Sequence, residues 1–470
     1  MSGVSPPRRR RHWWWITAVT VVVAALVVGG VMAWRFRHRD VIQSAPAPPS
    51  IGAPKDMLIP FSLLRLPVPA WRVSTADLGL PPTASIGVAF ASNGDRAYFA
   101  SSTCGGDCHG PVEKQLGKST GYMYGLDLRT GARLFGPITL PGFSTNGGDC
   151  HANGPSMAVC VALDNTLKLS SWVVDLSRGA LIYSGPTDFG STAEPRYLGL
   201  SRLLHSVQGK GVYGIGSQAN HTWFVPGSGI LSGVDPMGAQ NVLPPLTIAA
   251  QFDDGGQQDR VFSVIDGHDV TPPRPPGVKL GRVVLYDGGF AYPWTENFTH
   301  GGVLFYDTAG KLVKKDTSRP VTLVDNAVMP TAYDGDNKQW EIYTAAGDLA
   351  IRFKATDSTG DFLTIGSTVL QRDGADFRNI GNRKPWQQWD LSTGKPAGPD
   401  CKFDINRYRG SDGRVIVTGE GYEDAQVAVD LATCQTVWRL PAADAFWRIG
   451  RSLLQYARGG DAVTVMRAPD

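Results

Sequence analysis

The stretch Leu126-Asp127-Leu128-Arg129-Thr130-Gly131-Ala132-Arg133-Leu134-Phe135 returns, loosened, three more times along the chain. The copies begin Val174-Asp175-Leu176-Ser177-Arg178-Gly179, Trp389-Asp390-Leu391-Ser392-Thr393-Gly394 and Val429-Asp430-Leu431-Ala432-Thr433-Cys434. A unit that recurs about every 40 to 50 residues constrains architecture more than any single residue can, because each unit must bury its apolar face on the next. Each copy has the chemistry of a β-hairpin. An alternating apolar strand ends at Asp, whose carboxylate can accept from the following backbone amides; Gly four positions on takes the positive-φ site, and a second strand leaves.

Weaker echoes lie between these copies at Thr222-Trp223-Phe224-Val225-Pro226-Gly227, Phe305-Tyr306-Asp307-Thr308-Ala309-Gly310 and Ile342-Tyr343-Thr344-Ala345-Ala346-Gly347. Short strand-like runs such as 96–100, 157–163, 260–265 and 414–418 surround them, and no helical period survives past the first 40 residues. The pattern predicts an all-β chain folded as a β-propeller, since blades arranged about an axis leave few exposed sheet edges. The two ends match: Ala70-Trp71-Arg72-Val73 resembles Val437-Trp438-Arg439-Leu440. Residues 448–456 and 462–467 are then expected as inner strands of a last blade whose outermost strand is supplied by Trp71 and its neighbours.

Asp-Leu-x-Thr-Gly followed by an aromatic, as in Asp127 to Phe135, resembles the repeat of the pyrroloquinoline-quinone-type propellers. That group includes quinoprotein dehydrogenases and a lipoprotein that assists outer-membrane protein assembly. The resemblance implies eight blades, with seven as the alternative. It implies nothing about activity, because one fold hosts many functions. The adjacent Cys-Cys pair expected over a quinone in such dehydrogenases does not occur in this sequence, so no cofactor is expected.

The front of the chain carries a second signal. From Trp13 to Trp34 about 22 residues run without a formal charge, enough to cross roughly 30 Å of hydrocarbon as a helix. Trp13, Trp14, Trp15 and Trp34 stand at its ends, and Arg8 to Arg11 precede it. The organisation expected is a basic cytoplasmic stub over 1–12, an uncleaved transmembrane helix over 13–34, a Pro-rich spacer over 35–64 and an extracytoplasmic propeller over 65–470. The six cysteines, Cys104, Cys108, Cys150, Cys160, Cys401 and Cys434, all lie in that last part. Sequence proximity pairs them in that order as disulfides, which belong to an oxidising compartment. The Cys401–Cys434 bridge would staple neighbouring blades.

Without the seven arginines that flank the span, 38 basic residues face 42 acidic ones, which is not a nucleic-acid surface. One constellation could carry chemistry: Gly105-Gly106-Asp107-Cys108-His109 repeats as Gly147-Gly148-Asp149-Cys150-His151, in positions that could be equivalent on adjacent blades. Cys108, His109, Cys150 and His151 form a soft-donor set suited to zinc or copper, and Cys104 with Cys108-His109 is one residue longer than a haem-attachment motif. The simpler reading is two disulfide-stapled loops. Asp253-Asp254, Asp334 with Asp336, and Glu420 with Glu423 and Asp424 are oxygen-ligand candidates for Ca²⁺, although Asp334-Gly335-Asp336-Asn337 reads as a turn. Trp294, Trp340, Trp386 and Trp389 either line a funnel or pack between blades. No nucleophile elbow, P-loop or zinc-hydrolase motif is present. The expectation is a monomeric, membrane-anchored module that binds an envelope protein or extracellular ligand. The alternative is an envelope enzyme with a funnel active site, with metal dependence through the two Cys-His loops as one form of it.

Overall fold

A computed structural model describes residues 52–103, 119–145, 148–163, 168–189, 195–196, 200–232, 246–252, 255, 258–297, 299–317, 319–324, 328–355, 360–373, 384–404, 407–420, 425–441, 444–457 and 459–470. These belong to one compact unit, Ser50–Asp470. The proposed stub and span, 1–34, lie outside them. Among the described residues no helix is long and apolar enough to cross a membrane.

The described strands fall into nine antiparallel sheets that follow one another along the chain, an all-β propeller as the repeat predicts. Blade 1 is Val88–Asn93, Arg96–Ser102, Thr120–Asp127 and Arg133–Pro141, paired in chain order from innermost to outermost strand. Blade 2 is Gly148–Ala152, Met157–Leu163, Leu169–Asp175 and Ala180–Pro186. Blade 3 spans 195–226, blade 4 231–263, blade 5 279–315, blade 6 322–354, blade 7 360–390 and blade 8 410–440. Blade 9 consists of Phe446–Ile449, Ser452–Tyr456 and Ala462–Arg467, closed on the outside by Val68–Ser74. Trp71 sits opposite Val465 and Arg72 opposite Thr464, so the first strand completes the last blade as expected.

The count of nine exceeds the eight implied by the resemblance, and blade 4 accounts for the difference. Its inner strand is two residues long, and its fourth is a single bridge, Phe262 to Asp269. Its hairpin turn has Ser263, not Asp, four residues before Gly267, so the signature lacks its acid. The echo at Thr222 to Gly227 is also displaced, because Thr222 to Val225 lie in an outer strand and the turn of that hairpin is 216–220.

The turn chemistry is the predicted one. Asp127 Oδ1 accepts from the backbone N–H of Arg129 at 2.9 Å and of Thr130 at 3.0 Å. Asp175 and Asp390 do the same for the residues that follow them. The aromatic of the signature has a packing role. A Cβ at Gly131 would lie 2.8 Å from the Trp71 ring of blade 9, and one at Gly179 would lie 2.4 Å from Phe135 of blade 1. In these two seams an outer-strand ring covers the turn glycine of the next blade, and Trp71 Nε1 donates to Leu128 O at 3.0 Å across the first of them. At these seams aspartate, glycine and aromatic form one joint between consecutive blades.

Apolar clusters fill successive seams. Phe99, Tyr124 and Leu126 of blade 1 meet Leu454 and Val463 of blade 9. Tyr98, Met123 and Leu140 of blade 1 meet Cys160 and Trp172 of blade 2. The sequence continues round to Val415, Val417 and Leu440 of blade 8 against Phe446 and Leu453 of blade 9. Fully burying one such side chain contributes about 1.5–3 kcal/mol, so the seams are the main source of cohesion between blades.

The expected spacer ends earlier than residue 64. Residues 52–64 are laced onto blades 7, 8 and 9, with Ile59 and Leu63 buried. Ala53 N donates to Gly366 O at 2.9 Å, Ile59 N to Ser411 O at 2.8 Å and Leu63 N to Asp412 Oδ2 at 2.7 Å. Arg448 Nη1 donates to Met57 O at 2.9 Å and Trp438 Nε1 to Leu63 O at 2.7 Å. The apolar run Leu58-Ile59-Pro60-Phe61-Ser62-Leu63-Leu64 explains the correction: it is too greasy for a solvated linker.

Candidate functional site

The repeated Gly-Gly-Asp-Cys-His segments do not occupy equivalent places. The second copy enters the innermost strand of blade 2, Gly148–Ala152. The first, with Cys104, Cys108 and His109, falls between the second and third strands of blade 1 and lies outside the described residues. The two connections are joined at their roots, where the hydroxyls of Ser102 and Thr145 are 2.7 Å apart.

Within the second copy Cys150 is bonded to Cys160, its direct cross-strand partner, as sequence proximity predicted. A sulfur held in a disulfide is not the thiolate that a zinc or copper site needs. Burial pushes the imidazole of His151 down to about 3, which keeps it neutral at physiological pH. Among the described residues no group of three or more His, Cys, Asp or Glu is arranged to hold a metal.

The Cys401–Cys434 bridge is also present and staples blade 7 to the hairpin of blade 8. Cys434 occupies the turn-glycine position at φ +57°. Gln388, buried beside it, donates to Pro399 O and Leu431 O, each at 2.7 Å, and so ties the same seam.

The other sequence candidates fill structural places. Asp334 Oδ1 accepts from the backbone N–H of Asp336 at 3.1 Å and of Asn337 at 3.2 Å, the turn that its sequence suggests. Its other oxygen meets Arg319 Nη2 at 2.5 Å. Glu341, on the neighbouring strand, is held by Arg352 Nη2 at 2.7 Å and by Tyr343 Oη at 2.6 Å, so both buried carboxylates are neutralised. Asp253, Asp254, Glu423 and Asp424 lie outside the described residues. Trp294, Trp340 and Trp386 are buried in the cores, and Trp389 stacks on Phe353 with ring centres 4.5 Å apart. They pack the blades and line no funnel.

Polar chemistry that sequence reading missed gathers at two places. On the innermost strand of blade 9, half-exposed Trp447 carries the Arg409 guanidinium 4.1 Å from its ring centre. Below it Arg448 is lowered from its ordinary range by burial, and Tyr408 is raised to about 12 by burial, partly opposed by the Arg448 charge. In blade 3, the ring nitrogens His205 Nδ1 and His221 Nε2 are 2.7 Å apart. In the sequence His221 shows only as the centre of the sequon Asn220-His221-Thr222, and a 16-residue separation across a hairpin has no motif to betray it.

Residues 43–469 match the model of a family described as the conjugation-associated 9-bladed beta-propeller domain. An uncharacterized protein of Mycolicibacterium smegmatis (strain MKD8) is 28% identical over 445 residues, which is 89% of this chain and 88% of that protein. Among solved structures, the computationally designed Ika8 protein aligns with 67% of this chain and 95% of its own at 13% identity and a TM-score of 0.34. BamB from Moraxella catarrhalis aligns with 86% of this chain and 98% of its own at 10% identity and a TM-score of 0.33.

Proposed function

We propose, from the premise that this chain belongs to the conjugation-associated nine-bladed β-propeller family, that it is a binding and assembly module of a conjugation apparatus, anchored in the cell membrane with its propeller outside the cytoplasm. The observation that carries this reading is where the reactive side chains are used. Asp127, Asp175, Asp390 and Asp430 cap their own turns; Asp334 and Glu341 are clamped by arginines; Cys150, Cys160, Cys401 and Cys434 are in bridges. The described residues supply a tied, closed scaffold and no assembled nucleophile, base and oxyanion donor. A protein built in this way acts through its surface.

The partner is read as an envelope protein of the transfer apparatus. The acidic balance of the chain beyond residue 40 does not suit DNA. The apolar run 13–34 supports anchoring, and the two bridges support an oxidising location. The likeness of the hairpins to pyrroloquinoline-quinone-type repeats belongs to the same proposal, as kinship of scaffold without the cofactor.

The test is a donor strain deleted for this chain. Mating frequency should fall, recover with the full chain, and stay low with a version lacking residues 13–34. Undiminished transfer in the deletion strain, or full rescue by the version without the span, would overturn the reading.

A further inference from the structure

The connection from blade 4 to blade 5 reads Thr271-Pro272-Pro273-Arg274-Pro275-Pro276-Gly277-Val278, with four prolines in the five residues 272–276. Each proline fixes its own φ at about −65°, and a residue that precedes a proline is held out of the helical region. Thr271, Pro272, Arg274 and Pro275 all precede a proline, so the two constraints together select polyproline II, a helix with three residues per turn. The burial of the segment has that period. Pro272 is buried and Pro275 half-buried, whereas Pro273 and Pro276 are exposed, as are Arg274 and Gly277. One edge of the helix is seated on the propeller and the other two face solvent.

Both ends of the segment are pinned. Thr271 Oγ1 accepts from Val261 N at 2.9 Å and donates to Val261 O at 3.2 Å, and Gln258 Nε2 donates to Pro272 O at 2.9 Å. At the far end Val278 N donates to Pro275 O at 3.3 Å, which closes a turn over Pro276 and over Gly277 at φ +74°. Proline followed by a positive-φ glycine is the type II pattern. Between the pins, Arg274 makes no hydrogen bond, ion pair or ring contact among the described residues. A spacer between blades needs stiffness alone; it has no use for an unpaired guanidinium held between two exposed prolines.

We propose that Pro273, Arg274 and Pro276 form a docking peptide built into the propeller, read by a partner protein whose groove is lined with aromatic rings and ends in a carboxylate for Arg274. Polyproline II is the backbone form that such grooves recognise, because its proline ridge fits between rings and little conformational entropy is left to lose. Here the ridge is Pro273 with Pro276, three residues apart on one exposed edge. The planar guanidinium beside it can meet a carboxylate with two parallel hydrogen bonds, which fixes the direction in which the segment lies. Pinning at Thr271, Pro272 and Pro275 orders the backbone before the partner arrives, so binding orders only side chains. The inference rests on the reading of the chain as a binding module and names the chemistry of the partner.

The test is photocrosslinking in the donor envelope, with the full chain carrying p-benzoylphenylalanine in place of the exposed Lys279 at the start of blade 5. One adduct should form, and mass spectrometry should place the crosslink in a partner segment that contains Trp or Tyr. Arg274→Glu should lower the adduct about tenfold or more, the size expected when a charge-assisted contact is lost. The double variant Pro273→Ala with Pro276→Ala should lower it as well. Thermal unfolding of the purified Arg274→Glu chain should match the wild type, since that side chain supports nothing in the fold. No adduct, equal yields from wild type and both variants, a crosslink to a segment without an aromatic ring, or a lowered Tm for Arg274→Glu would each overturn the dock. These outcomes are read without mating, so a failure here is distinct from failure of the module reading, which shows in mating frequency.

Discussion

Cys434 makes a sharp test of how the hairpin joints work, because it stands where the other copies of the repeat place glycine. Its φ of +57° lies in the left-handed region, which costs a residue with a Cβ about 1–2 kcal/mol. The bridge to Cys401 spans a sequence separation of 33. The chain-entropy model gives such a loop about 4 kcal/mol, against about 3 kcal/mol for the shorter Cys150–Cys160 loop. Two double variants separate these contributions. Cys401→Ser with Cys434→Ser loses the cross-link and keeps the strained turn, whereas Cys401→Ser with Cys434→Gly loses the cross-link and relaxes the turn. Both should fall below the wild type, and the glycine version should be the more stable by about 1 kcal/mol, since part of the relief is offset by the greater freedom of glycine in the unfolded chain. Urea unfolding followed by tryptophan fluorescence reads the difference, because the entropy of the lost cross-link is common to both. A glycine version no more stable than the serine version would refute the claim that this turn demands a positive φ.

Three further outcomes follow from the same joints. Gly131→Val should destabilise by 2 kcal/mol or more on the order-of-magnitude scale for strain combined with overpacking, because its side chain would strike the Trp71 ring at a site with φ +73°; Gly94→Ala, with open space around it, serves as the control in thermal unfolding. Arg319→Met should cost about 1–3 kcal/mol, since Asp334 loses its cation and keeps its turn amides and the side-chain amide of Gln339; a neutral result in denaturant titration would show that the pair contributes nothing. The Asp430 carboxyl is held below its ordinary value, chiefly by the Arg414 guanidinium, so its contribution is present above that value and is lost as pH falls through the folded-state pKa. Asp430→Asn should flatten the acid limb of the stability curve, and an unchanged limb would contradict that assignment.

Much of the fold was legible because its joints use chemistry visible in one dimension. Asp127, Asp175 and Asp390 each precede a glycine by four residues, and an aromatic, or Gly398 in the seventh blade, follows. Trp71 resembled Trp438 closely enough to indicate the closing strand. Eight blades were implied by the likeness of the repeat; blade 4 escaped because its hairpin has Ser263, not Asp, four residues before the turn glycine Gly267. Residues 52–64 escaped because prolines and serines read as linker, while the partners of Ile59 and Leu63 lie more than 300 residues away. The disulfides of Cys150 and Cys401 were legible from spacing. The His205–His221 pair was not, because it depends on a register shift between Tyr213 and Ile215 that no local pattern encodes.

The central claim is that the chain's first strand completes its last blade, and hydrogen exchange of Val68–Ser74 measures this directly. Paired with Ala462–Arg467, its amides should exchange as slowly as those of that partner, and the two strands should lose protection together in denaturant. Free-chain exchange over 68–74 beside a protected 462–467 would contradict the account.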